Sequence, residues 1–97
     1  MKFRFTRRAV EDLNNIASYL MERNPAGSRR VRAAIMESLR LLASYPHAGT
    51  STTTEGVRKL VVRRYPYLIY YTADERRNEV AILGVKHAAR KREHEDH

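Results

Sequence analysis

Apolar residues recur along this chain with two different periods, and the period changes near its middle. Phe3 and Phe5 alternate with Lys2 and Arg4, the two-residue period of a short strand over Lys2–Phe5. Thr6 follows, and its hydroxyl can accept one of the free N–H groups of a helix's first turn. From Arg7 to Glu22, the residues Val10, Leu13, Ile16, Ala17, Leu20 and Met21 fall at helical spacing and predict one inward stripe. Asn24-Pro25 breaks the run, and proline suits the first turn of a following helix, where its missing N–H costs nothing. That second helix is predicted over Ala26–Ser44, with Val31, Ala34, Ile35, Ser38, Leu39 and Leu42 facing inward. Tyr45-Pro46 ends it, because the residue before a proline resists helical angles.

His47–Gly56 is rich in threonine and glycine and reads as a polar, mobile loop. From Val57 the texture turns to β. Val57–Arg63, Tyr67–Thr72 and Val80–Val85 are three strand-like runs, with turns at Tyr65-Pro66 and Asp74–Asn78. Connections this short imply an antiparallel meander. Neither layer can bury its apolar side alone, so the helix hairpin must pack on the strands. The expected fold is α+β, of order β-α-α-β-β-β, with the hairpin on a small, mainly antiparallel sheet. A chain of 97 residues makes one domain. Residues 88–97 are polar and charged without apolar period, and a flexible C-terminal tail is expected there.

Composition narrows the function classes. The chain has no cysteine, which removes disulfides and thiolate metal sites and fits a cytoplasmic protein. No apolar run is long enough to span a membrane, and the first residues lack the apolar core of a secretion signal. Lys and Arg number 19 against 11 Asp and Glu, a net charge of +8. Such a balance suits nucleic acid, a nucleoprotein machine or an acidic protein partner. Arginine pairs recur at Arg7-Arg8, Arg29-Arg30, Arg63-Arg64 and Arg76-Arg77. For any single pair, a solvated surface charge is the plainer reading. One reading of the charge is a non-toxic basic nucleic-acid-binding module; the cations are spread through all the expected elements rather than gathered on one recognition helix, which disfavours it.

Few residues present themselves for chemistry. Tyr65, Tyr67, Tyr70 and Tyr71 could stack on bases, but strand alternation turns about half of them inward. Glu11 and Asp12 are neighbours on a helix and read as ordinary surface charge. His94, Asp96 and His97 lie in the tail and lack a fixed further ligand, so neither a metal nor a cofactor is expected. No glycine-rich phosphate loop or Ser–His–Asp pattern occurs.

Several local motifs appear together in a fixed order. Pro46 and Gly49 follow the second helix, Gly56-Val57-Arg58 opens the next strand, and Tyr65-Pro66-Tyr67-Leu68-Ile69-Tyr70-Tyr71 forms an aromatic-rich strand. Ile82-Leu83-Gly84-Val85-Lys86-His87-Ala88-Ala89-Arg90 closes the chain's β half. In this order and at this length the chain resembles the RelE/ParE superfamily of toxins from type II toxin–antitoxin systems. The resemblance implies a cognate antitoxin as partner, in a toxin–antitoxin hetero-oligomer, and one of two targets. One branch cuts mRNA on the ribosome; the ParE branch poisons DNA gyrase without hydrolysing RNA. Nucleolytic relatives carry an arginine just before the Leu-Val-Tyr-type strand core, where this chain has Tyr67. Many also carry a late aromatic residue, and none occurs here after Tyr71. A neutral phenol cannot supply the missing positive charge. The resemblance therefore favours the ParE branch. On the nucleolytic alternative, Arg58, Arg64 and His87 would be the catalytic set. On either branch Arg58, Arg63, Arg64, Tyr67, His87, Arg90, Lys91 and Arg92 are the expected target- or antitoxin-binding residues.

Overall fold

Thr6 starts the first helix as expected: its Oγ1 accepts the Ala9 N–H at 3.1 Å and donates to the Leu83 carbonyl at 3.1 Å. One hydroxyl thus caps a helix and ties its start to the last strand. The computed structural model describes residues 1–89. Its elements are β1 (Lys2–Phe5), α1 (Arg7–Arg23), α2 (Pro25–Ser44), β2 (Thr50–Ser51), β3 (Arg58–Val61), β4 (Tyr67–Asp74) and β5 (Glu79–His87). Asn24 caps α2 by accepting the Gly27 N–H at 2.9 Å, with Pro25 in the first turn.

The strands form one five-stranded sheet in the order β1-β5-β4-β3-β2. The last three strands make the antiparallel meander that their short connections imply. β1 instead runs parallel to β5, from Lys2 opposite Glu79 to Phe5 opposite Ile82. The first strand of the chain therefore docks beside the last, and α1 packs over β5. Tyr67, Ile69, Tyr71, Val80, Ile82 and Val85 meet Val31, Ile35, Leu39 and Leu42 of α2 in one core. Both helices cover the same face of the sheet, since alternate strand residues share a side.

Three expectations change. Val10, Ala17 and Met21 of the α1 stripe are exposed, and Ala9 is the buried residue of that helix. α1 needs only a narrow seam, because it rests on the sheet with one edge; Leu13, Ile16 and Leu20 line that seam. Second, 47–56 is no free loop. Thr50 and Ser51 pair with Lys59 and Arg58, Thr52 N–H donates to Val57 O at 3.1 Å, and Thr52 Oγ1 donates to the same carbonyl at 3.0 Å. Third, Asp12 is not plain surface charge. Its Oδ2 accepts the Val85 N–H at 2.9 Å. The β4–β5 register shifts at Tyr70/Tyr71, so that Gly84 faces Tyr70 while Ile82 faces Tyr71, and Leu83 is the extra residue of a bulge. Asp12 satisfies an N–H that the bulge removes from the ladder.

Candidate functional site

One end of the sheet gathers most of the expected binding residues. The turn between β3 and β4 closes with Val62 N–H donating to Tyr67 O at 2.9 Å, and it presents Arg63 and Arg64 to solvent. Arg64 sits at φ 75°, a left-handed backbone that a residue with a Cβ adopts at some cost. The C-terminal end of β5 lies beside this turn. His87 is paired with Tyr67 in the ladder, and Ala88 N–H donates to Pro66 O at 2.7 Å. The His87 ring stands edge-on to the Tyr67 ring, centroids 5.3 Å apart. His87 Nδ1 accepts the Ala89 N–H at 3.1 Å, so a neutral ring carries its proton on Nε2 and offers a donor there. Tyr67 itself is buried in the core, 7% exposed. It supports the histidine from below and has little ring face left for a ligand.

Arg58 belongs elsewhere. It lies opposite Tyr71, four residues along β4 from Tyr67, a separation of about 13 Å. Its Nη1 donates to the Gly49 carbonyl at 2.7 Å and approaches the His47 carbonyl at 3.5 Å. Tyr71 completes this clamp: its hydroxyl accepts the Gly49 N–H at 2.9 Å and donates to the Pro46 carbonyl at 2.8 Å. Any side chain at position 49 would collide, since a Cβ there would come 2.5 Å from the Lys59 carbonyl and 2.8 Å from the tyrosine oxygen. Pro46, Gly49 and Arg58 thus recur in the sequence pattern for one physical reason: together with Tyr71 they fasten the chain between α2 and β3.

The structure brings Arg63, Arg64, Tyr67 and His87 together and leaves Arg58 at the far end of β3. Arg90, Lys91 and Arg92 lie outside the described residues, as does most of the expected 88–97 tail; Ala88 is held by its bond to Pro66. Sequence reasoning missed Tyr71 and Asp12 as anchoring residues. The signal for Tyr71 was its buried parity on β4; for Asp12 no local signal exists, because its partner is 73 residues away. At the opposite edge a shallow depression is lined by His47, Gly56, Asp74 and Glu75, and His47 Nε2 meets Glu75 Oε2 at 2.9 Å. Among the described residues no group of three His, Asp or Glu side chains could hold a metal ion, and no helix is long and apolar enough to cross a membrane.

The helix hairpin lies on one face of this mixed sheet, with a basic turn beside the last strand's end, and that architecture recurs in solved proteins. The chain is 24% identical to a protein of the chromosomal ParDE system from P. aeruginosa, with a TM-score of 0.75 over 90% of this chain and 95% of that one. It matches the isolated E. coli RelE toxin with a TM-score of 0.67 at 18% identity, over 90% of this chain and 83% of that one. Among curated proteins it is 34% identical to a putative toxin of Sinorhizobium fredii, over 90% of this chain and 88% of that one. It is 37% identical to toxin RelE2 of Caulobacter vibrioides, over 89% of this chain and 93% of that one. Residues 3–92 match the model described as the ParE toxin of type II toxin-antitoxin system, parDE. The chain belongs to this ParE toxin family, within the wider RelE/ParE superfamily.

Proposed function

We propose that this toxin acts on DNA gyrase without nuclease chemistry and is neutralised by a cognate antitoxin. The observation that carries the reading is Tyr67. At the position where nucleolytic relatives place a cation, this chain has a phenol buried under the helices. RNA cleavage needs an activated 2′-hydroxyl, a cationic cradle for the phosphorane-like transition state, and a proton for the leaving oxygen. Arg58, Arg64 and His87 would have to supply these together. Arg58 is committed to loop carbonyls about 13 Å along the sheet from the other two. Each lost transition-state contact costs about 100- to 1,000-fold in rate. Solved relatives include an intact E. coli RelBE toxin-antitoxin complex, which supports an antitoxin as partner.

A second reading, a ribosome-dependent endoribonuclease, draws on the RelE name of one relative and on His87 and Arg64 sharing one end of the sheet. Two assays on the purified chain separate the readings. Supercoiling by gyrase should be blocked, or cleaved DNA should accumulate, while mRNA in a translating extract stays whole. Breaks in the ribosomal A site that vanish with His87→Ala would establish the nuclease instead.

A further inference from the structure

The two helices carry their charge differently. On α1, Arg7, Arg8 and Arg23 are matched by Glu11, Asp12 and Glu22. Arg8 Nε meets Asp12 Oδ1 at 3.4 Å, and Arg23 Nη1 meets Glu22 Oε1 at 3.4 Å. On α2, Arg29, Arg30, Arg32 and Arg40 stand against Glu37 alone. All four are exposed, and among the described residues none of them has a hydrogen-bond or ion-pair partner. The cations that look evenly scattered along the sequence are therefore neutralised on one helix and left free on the other.

Helical periodicity puts Arg29 and Arg40 on one outward line, with Arg30 and Arg32 to either side. The buried side of the same helix holds Val31, Ile35, Leu39 and Leu42, so the arginine line points away from the core. Arg29 and Arg40 are about 16 Å apart along the axis. Long side chains at that spacing can reach phosphates on both sides of a groove about 12 Å wide. Guanidinium groups suit phosphate oxygens because they donate two parallel bonds. The line offers no aromatic ring between Arg29 and Arg40 on which an unpaired base could stack, which a single-strand site needs. The partial positive charge of the α2 N-terminus adds to the same field.

We propose that the outward face of α2 is a docking surface for the phosphodiester backbone of duplex DNA. Contact is with phosphates alone, so binding is independent of base sequence and falls steeply with salt. The inference stands apart from the gyrase reading, because it is tested without gyrase.

The test is fluorescence anisotropy of the full chain with a labelled mixed-sequence duplex across a salt series. Arg29→Gln/Arg32→Gln/Arg40→Gln keeps good helix formers on an exposed face, and circular dichroism checks that it folds. Wild type should bind at low salt. The triple variant should lose about tenfold or more in affinity, with a log–log salt slope shallower by about 3. Arg8→Gln/Arg23→Gln, on the balanced helix, should bind like wild type. Failure of wild type to bind, equal loss in the α1 control, or a triple variant that keeps DNA but loses the antitoxin would each overturn the proposal. In the last case the face would be an acidic-protein site.

Discussion

From within α1 the Asp12 side chain accepts the Val85 N–H of β5, and it also receives the Arg8 guanidinium. Its side chain is 15% exposed, so the N–H it satisfies has little water to turn to. Asp12→Ala should lower stability by about 1–3 kcal/mol, the cost of an unsatisfied buried donor. Asp12→Asn, which keeps an acceptor oxygen, should recover most of that. Thermal denaturation of the pair checks this; equal losses would mean that charge matters and the bond to the bulge does not. Gly84 fits the same account, since a Cβ there would come 3.0 Å from Asp12 Oδ2. Tyr71→Phe removes the partner of the buried Gly49 N–H and should cost about 2 kcal/mol in denaturant unfolding. An unchanged midpoint would deny the clamp. The sequence pattern made Pro46, Gly49 and Arg58 visible as a set but suggested a binding role for Arg58. The reason is that an arginine's hydrogen bond to a distant carbonyl leaves no trace in local spacing.

Among the elements, both helices and the three-strand meander were legible, because their apolar residues follow one clear period each. Thr6 and Asn24-Pro25 fixed the helix starts within a residue. β2 was not legible as an element. Its two residues are exposed and polar, so no burial pattern marks them, although threonine's β-branched side chain favours strands. Its consequence can be measured. Gly49 and Thr52 amides should exchange slowly with solvent despite lying in a polar stretch. Arg58→Ala should speed exchange across 47–56 and leave β4 and β5 protected. Uniform acceleration across the sheet would instead make Arg58 part of the global core. The width of the α1 stripe was overestimated for a simple reason: helical spacing marks the apolar line, while the neighbours of α1, chiefly β5 and α2, decide how much of it is covered.

For the whole molecule, the parallel pairing of β1 with β5 was the least legible feature. Nothing in residues 2–5 names a partner 77 positions away. The pairing nevertheless makes the N-terminal strand integral: Lys2 N–H donates to Asn78 O at 2.9 Å and Thr6 N–H to Ile82 O at 3.1 Å. Deleting residues 1–5 should abolish the cooperative thermal transition. Ending the chain after Ala89 removes Arg90, Lys91 and Arg92 and keeps every core residue among the described residues; it should leave the circular dichroism spectrum intact while weakening target or antitoxin binding. Collapse of the shorter chain would show that the last residues support the sheet. The charge of +8 belongs to this scale too, since it sets encounter rates with anionic partners more than it sets the fold.

The place of β5 between β1 and β4 also bears on when the toxin becomes harmful during its synthesis. A nascent chain that has emerged only as far as Asn78 lacks the strand on which α1 rests, and its first strand has no neighbour. No earlier stopping point supplies a closed core, and domains fold as units as the chain leaves the ribosome. The end of the sheet that carries Arg63, Arg64 and His87 is therefore assembled in one late step, once β5 has emerged. Truncated translation products should be readily digested by protease and non-toxic. An antitoxin that captured the hairpin before β5 emerged would prevent the poison from ever forming.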